Sequence, residues 1–276
     1  MNRGIVVDML DEILVLGAGY AGKAVLTLAR RRGLATKAVV RSAARAEELA
    51  DHAVVVAPVF DAALAPLAGP STHVVVTFPP DGTTDAGIAL RAGAITYISS
   101  TGVYGDRRGI VDDQTPVTET PSASVALRLA AEDVWRRRGA TVLRCPAIYG
   151  KDRGLHVRVV SGRHKIPGDG SGYVSRIHVD DLAALVLAAP QAPGETFVVG
   201  DENPARHADV IRWICTAYGA PMPPSVPLSE VHETLRSDRQ VDGSRALRVL
   251  GVTLRYPSYE DGYASPADVE SAKLRP

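Results

Sequence analysis

The sequence predicts an α/β protein, a doubly wound parallel sheet followed by a small C-terminal lobe that binds a substrate. Three observations carry this prediction. Residues 12–22, EILVLGAGYAG, lead from an apolar run through closely spaced glycines directly into a helix-like segment, AVLTLARRRG. Short β-rich runs then alternate with helical patterns as far as residue 150, and that alternation implies a parallel sheet with helices on both faces. Runs such as HAVVVA and THVVVTF are apolar at nearly every position, as strands buried on two sides require.

The first strand, Glu12–Leu16, stops at Gly17-Ala18-Gly19-Tyr20-Ala21-Gly22. Gly17 permits a tight turn, Gly19 lets the backbone approach a pyrophosphate, and Gly22 lets the next helix pack closely on the strand. Tyr20 and Ala21 sit between these glycines, in the first turn of a helix over 20–32. Its unpaired N–H groups and positive dipole end favour an anion. This is a Rossmann-type dinucleotide site; the bland alternative is an ordinary strand-to-helix corner. The second strand, Thr36–Val40, ends at Arg41-Ser42, with no acid before Glu47. An acid there would hold the ribose hydroxyls of NAD, whereas Arg41, aided by Ser42 and Arg45, suits the 2′-phosphate of NADP. NADP is therefore the favoured cofactor and NAD the alternative, the competing reading being that Arg41 is a solvated loop charge.

The remaining strands are expected at Ala53–Ala57, His73–Phe78, Ile95–Ser99 and Thr141–Arg144, and the helices at 44–50, 61–68, 83–92 and 122–138. Phe78 and Pro79, at the end of the fourth strand, border the cofactor groove. After Gly150 the texture becomes basic and glycine-rich, KDRGLHVRVVSGRHKIPGDGSGYVSR, without a clear period. Helical signals return at 181–189 and at 204–218, the latter with Asn203 as N-cap, Pro204 in the first turn and Gly219 just beyond the end. Residues 1–150 are thus read as the dinucleotide-binding core. Residues 151–276 are read as a mixed region of substrate loop, returning elements and small C-terminal lobe. No internal repeat or low-complexity tract is visible.

The 276 residues are 46% hydrophobic and 22% charged, enough to bury a substantial core. Lys plus Arg and Asp plus Glu number 31 each, so no basic excess suits a nucleic acid or an anionic membrane, and a small-molecule substrate is the expected partner. Cys145 and Cys215 are too few for a disulfide framework or a thiolate zinc site. No apolar run approaches the ~18 residues of a membrane span, and a cytoplasmic location is expected. The ten residues ahead of the first strand are unusual for such a fold, and Met9 is a possible alternative start. His156, His164 and His178 are dispersed without ligand spacing, so no metal is expected.

Three further segments carry a family resemblance. They are YISSTGVYGD at 97–106, LRCPAIYG at 143–150 and RIHVDDLA at 176–183. Together with GAGYAG they resemble, in order, the signatures of the extended short-chain dehydrogenase/reductases, the superfamily of NAD-dependent epimerases and dehydratases. The resemblance implies that Ser100 occupies the catalytic serine or threonine position. It places Ser99 beside the cofactor and passes the backbone at Pro146 and Ala147 along the nicotinamide. Asp180 is expected to cap a helix at a strand-to-helix junction.

The chain departs from the family at its central Tyr-x-x-x-Lys pair. Taking Glu132 as the acid that commonly follows, the Lys position is Arg128 and the Tyr position is Ser124. The two share a helix face, so geometry survives without the chemistry. Serine lacks the acidity that a neighbouring ammonium confers on tyrosine, although Arg128 can still bind ribose hydroxyls. This resembles the atypical branch of the superfamily, and Tyr173 and His178 become the substitute proton donors. Two readings remain open. One is an NAD(P)-dependent oxidoreductase or epimerase/dehydratase-like enzyme acting on a small carbonyl or hydroxyl substrate. The other is a cofactor-binding, catalytically silent regulatory or redox-sensing protein.

Overall fold

The computed structural model describes residues 9–231, 236 and 238–263. Its centre is a seven-stranded, wholly parallel sheet of β1 (Glu12–Leu16), β2 (Ala35–Val40), β3 (Ala53–Val56), β4 (Thr72–Val76), β5 (Ala94–Ser100), β6 (Thr141–Cys145) and β7 (Thr196–Val198). The spatial order is β3-β2-β1-β4-β5-β6-β7. From β1 the chain winds first to one side and later to the other, with Leu16 opposite Val39 in β2 and Val76 in β4. That reversal opens a crevice at the carboxyl ends of β1 and β4, the place where such sheets bind ligands.

Alternation along the strands supplies both faces of the core. Ile13, Val15, Ala38, Val75, Ile98 and Leu143 point to one side, and Leu14, Leu16, Val39, Val74, Val76 and Val142 to the other. The first side is covered by α1 (Tyr20–Arg31), which packs with the helix over Val179–Ala188. The second is covered by the helix over Ala123–Arg137, whose Trp135 is fully buried and stacks on Tyr97. We name these helices α2 (Ala123–Arg137) and α3 (Val179–Ala188), and the helix His207–Tyr218 α4. A separate apolar cluster in the C-terminal part joins Tyr149, Val159 and Ile166 to Val210, Ile211 and Ile214 of α4 and to Tyr259 and Tyr263.

The expected strands form within two residues of their expected ends, because buried parallel strands announce themselves as apolar runs. The helix expected over 83–92 is instead one turn, Thr84–Gly87. Asp81 accepts hydrogen bonds from the amides and hydroxyls of Thr83 and Thr84 to start it, and Gly87 is followed by Ile88, fully buried in extended backbone. Tertiary burial there outweighs helical periodicity. α4 starts at His207 rather than beside Asn203, because Ala205–Arg206 pair antiparallel with Tyr173–Val174. Its end matches expectation, with Gly219 left-handed at φ 62°. The cap of α3 is His178, not Asp180: the His178 ring accepts the Asp180 N–H at 3.2 Å. The edge strand β7 went unpredicted, since three residues carry too little periodicity. Among the described residues no helix is long and apolar enough to cross a membrane.

Candidate cofactor and substrate site

The glycine turn closes β1 at the crevice. Gly17 has φ 81°, and a Cβ there would lie 2.7 Å from the Phe78 Cβ and 3.0 Å from its backbone nitrogen. At Gly22 a Cβ would meet Val15 at 2.8 Å, so helix and strand touch through the missing side chain. Gly19 differs from both, since its added Cβ would meet only the Gly17 carbonyl, at 3.7 Å. No protein atom explains glycine there, whereas an approaching phosphate would. The turn is held by hydrogen bonds from Gly17 N–H to the Val39 carbonyl at 2.9 Å and from the Thr77 hydroxyl to the Gly17 carbonyl at 2.6 Å. Gly19 caps α1 without a side-chain hydrogen bond, and no acid occupies the first turn around Tyr20 and Ala21. A cradle left uncapped and free of negative charge fits a dinucleotide's pyrophosphate.

At the end of β2 the Arg41 guanidinium lies 5.1 Å from the Phe60 ring centroid and 6.0 Å from that of Phe78, with the Asp81 carboxylate 4.0 Å away. The Phe78 side chain is buried and meets Phe60 edge to face, so it forms the floor beneath Arg41, while Pro79 is exposed at the rim. Arg45 donates from Nε to the Ala18 carbonyl at 3.1 Å, bringing a second guanidinium against the glycine turn, and it pairs with Glu48. The Ser42 hydroxyl caps the short helix 43–47 by accepting the Arg45 N–H.

At the end of β5, adjacent serines face opposite ways, as strand geometry requires. The Ser99 hydroxyl points inward and donates to Glu132 at 2.5 Å, so that side chain is committed to the protein. Glu132 is fully buried and also receives Nε and Nη2 of Arg144, at 3.1 and 2.8 Å, while Arg144 donates to the Tyr104 hydroxyl at 3.1 Å. This network ties α2 to the sheet, with each charge met by an opposite one. Ser100 is half-buried, and its oxygen accepts the Gly102 N–H at 3.1 Å, capping a tight turn over 101–104. Ser100 lies beside Cys145 in the sheet register, so Pro146 and Ala147 leave β6 next to it.

Position 124 on α2 is an exposed serine whose hydroxyl meets only that of Ser122, at 3.2 Å. Arg128, one turn on, is half-buried, and its charge acts on the Tyr97 hydroxyl and the Cys145 thiol. Burial pushes both of those groups up, and the guanidinium opposes the rise. The two positions thus hold an alcohol and a permanently charged cation.

His178 closes a short parallel pair in which Arg176–His178 lies beside Ala147–Tyr149. Its ring is buried against Tyr149 and Tyr256, and burial pushes its pKa down to about 4. The imidazole is therefore neutral near pH 7, and the acceptor role of Nδ1 toward Asp180 leaves the proton on Nε2. A Cβ at Gly150 would fall 2.5 Å from the Tyr20 hydroxyl and 3.4 Å from that Nε2. His178 and the glycine turn thus converge over Gly150. Tyr173 belongs to a different neighbourhood: its ring lies 4.9 Å beneath the Arg206 guanidinium and its N–H donates to Asp238. The structure joins Ser100, Pro146 and Ala147 at one strand end, and sets Tyr20 and His178 around Gly150. It places Tyr173 in the C-terminal part. Gly150 closes the LRCPAIYG segment, which is its sequence signal, whereas nothing in the sequence around Arg153 marks it.

No protein-family model matches the chain. A curated relative, 3-diazoavenalumate denitrifying reductase from a Streptomyces species, is 27% identical over 302 residues, covering 91% of this chain and 98% of that protein. The solved structure of UDP-glucuronic acid 4-epimerase from Bacillus cereus in complex with NAD superposes with a TM-score of 0.75 at 17% identity, over 95% of this chain and 99% of that one. The human epimerase family protein SDR39U1 with NADPH does so with a TM-score of 0.69 at 15% identity, over 92% and 98% of the two chains. One of these folds carries NAD and the other NADPH, at the same overall architecture.

Proposed function

We propose that this chain, whose fold is that of the NAD-dependent epimerase/dehydratase and short-chain dehydrogenase/reductase-like proteins, is an NADP-dependent reductase whose small electrophilic substrate needs no proton from the protein. The observation that carries the reading is the pairing of an uncapped glycine turn, open at Gly19, with an exposed Ser124 and an Arg128 where the proton relay would stand. Gly17, Gly19, Tyr20, Ala21 and Gly22 hold the pyrophosphate, Arg41 with Ser42 and Arg45 holds the 2′-phosphate, and Pro146 and Ala147 border the nicotinamide. When bound, that group supplies hydride.

The side chains present limit what else is supplied. Oxidising a sugar hydroxyl, the opening step of epimerase and dehydratase chemistry, requires a base for the hydroxyl proton, and neither serine nor arginine provides one near pH 7. Reducing a ketone leaves an alkoxide that requires an acid. The Ser100 oxygen already accepts the Gly102 N–H, which leaves its own proton to orient a substrate acceptor atom. Neutral His178 can donate a hydrogen bond from Nε2, but its low pKa leaves almost no imidazolium to act as an acid.

A cationic acceptor avoids the difficulty. An aryl diazonium ion takes hydride at its terminal nitrogen to give a neutral diazene, whose N–H proton passes to water as N2 leaves while the ring carbon takes a proton from water. Charge and atoms balance without a proton from the protein. The Streptomyces relative is named for denitrifying a diazo compound, and this supports the same substrate class here.

The test is a panel of aryl diazonium salts, aldehydes, ketones and sugar nucleotides with NADPH. We expect loss of reduced-nicotinamide absorbance above the uncatalysed rate with the diazonium salts alone, with release of N2 and formation of the arene. Comparable turnover of ketones overturns the substrate class and restores the reading of Ser100 with a separate proton donor. Binding of NADPH with no turnover of any acceptor favours the silent, cofactor-sensing alternative.

A further inference from the structure

Resting on the cofactor reading above, we infer that Arg153 is a clamp on the cofactor's pyrophosphate, held opposite the first turn of α1. Arg153 lies on the short excursion that follows Ala147–Tyr149, and nothing in its immediate sequence marks it as more than one charge of a basic loop. The fold gives it a defined place. Gly150 and Arg153 exchange backbone hydrogen bonds of 2.9 and 3.1 Å, which closes 150–153 into a tight turn. The base of that turn sits directly on α1, because the Tyr20 hydroxyl occupies the space a side chain at Gly150 would need.

The Arg153 guanidinium lies over the Tyr20 ring, 5.2 Å from its centroid. Tyr20 is the first residue of α1, immediately after Gly19, so this stacking brings a positive charge to the mouth of the glycine cradle. Among the described residues no salt bridge engages Arg153, and its side chain is exposed. Arg41 and Arg45 lie beside the end of β2, where the reading above gives them the 2′-phosphate, and Arg153 stands on a separate segment against the first residue of α1. A planar guanidinium on an aromatic face keeps its N–H edge free for phosphate oxygens, and the stacking limits the freedom lost when it binds. The amides of α1 and Arg153 then grip the pyrophosphate from two elements, the second of them also carrying Tyr149 and Gly150 beside His178.

The experiment compares Arg153→Ala with the parent in binding NADPH and 2′-phospho-ADP-ribose, which keeps the pyrophosphate and lacks nicotinamide. Loss of charge-assisted contacts predicts both affinities falling by about tenfold or more, by similar factors, with Arg153→Lys intermediate. Thermal unfolding without ligand should be unchanged, since the side chain is exposed. Unaltered affinity for both nucleotides overturns the clamp, and a raised KM for an anionic substrate in that variant would assign Arg153 to the substrate instead. Weakened NADPH with unaltered 2′-phospho-ADP-ribose also overturns it, by moving the contact to the nicotinamide end. If the parent itself binds neither nucleotide, the cofactor reading fails, an outcome distinct from failure of the clamp alone.

Discussion

The glycine turn after β1 and the face of α2 at Ser124 and Arg128 lie in one sheet-and-helix scaffold and have fared differently. At the turn, two glycines answer to protein atoms: Phe78 backs Gly17, and Val15 backs Gly22. The third, Gly19, would meet only the Gly17 carbonyl, at an ordinary contact distance of 3.7 Å. On α2 the residues that serve the fold remain, with Glu132 gripping Arg144 and Ser99 and Trp135 buried under the sheet. Positions 124 and 128 hold an exposed alcohol and a half-buried guanidinium. Ser124, Arg128, Glu132 and Trp135 lie along one stripe of α2, exposed at its N-terminal end and buried at its C-terminal end.

The sharpest way to break this contrast is Gly19→Val. The new side chain has room within the protein but fills the space in front of the cradle, so NADPH affinity should fall by more than about a hundredfold while the unliganded melting temperature stays close to the parent's. NADPH should raise the parent's melting temperature by mass action and leave the variant's unmoved. An equal response of the two proteins would mean that the nucleotide does not sit on this turn.

Arg41 sharpens the cofactor half of the comparison. Its removal in Arg41→Ala should cost NADPH about 1.5–3 kcal/mol, a tenfold or greater loss, and leave NADH nearly unchanged. Fluorescence titration of both nucleotides measures this. Equal affinities of the parent for the two would assign Arg41 to its Asp81 pair and its aromatic floor alone.

The smallest effect is expected on the other side of the contrast. Ser124→Ala should change kcat less than about twofold, because an exposed aliphatic hydroxyl provides neither acid nor base near neutrality. Steady-state turnover on whichever acceptor the protein reduces decides it. A large loss in this variant, with Ser100→Ala unimpaired, would place the chemistry at position 124 after all.

Sequence by itself determined the sheet and the glycine turn. Strands buried on both faces must be apolar along their length, and a phosphate-binding turn demands glycines at fixed spacing, so both leave local marks in the chain. It also placed Ser124 and Arg128 one turn apart, because that spacing is read on a single helix. Tertiary structure alone decided what depends on distant partners. Helix 83–92 shrank to one turn because Ile88 is drawn into the core, and Ala205–Arg206 became a strand because Tyr173–Val174 lies alongside. The Ser99 hydroxyl turned inward to Glu132 while Ser100 stayed at the crevice, and His178 became a neutral helix cap through burial against two tyrosines. Arg153 acquired its place over Tyr20 only because Gly150 lets the two segments meet, a contact between residues more than a hundred positions apart that no local pattern records.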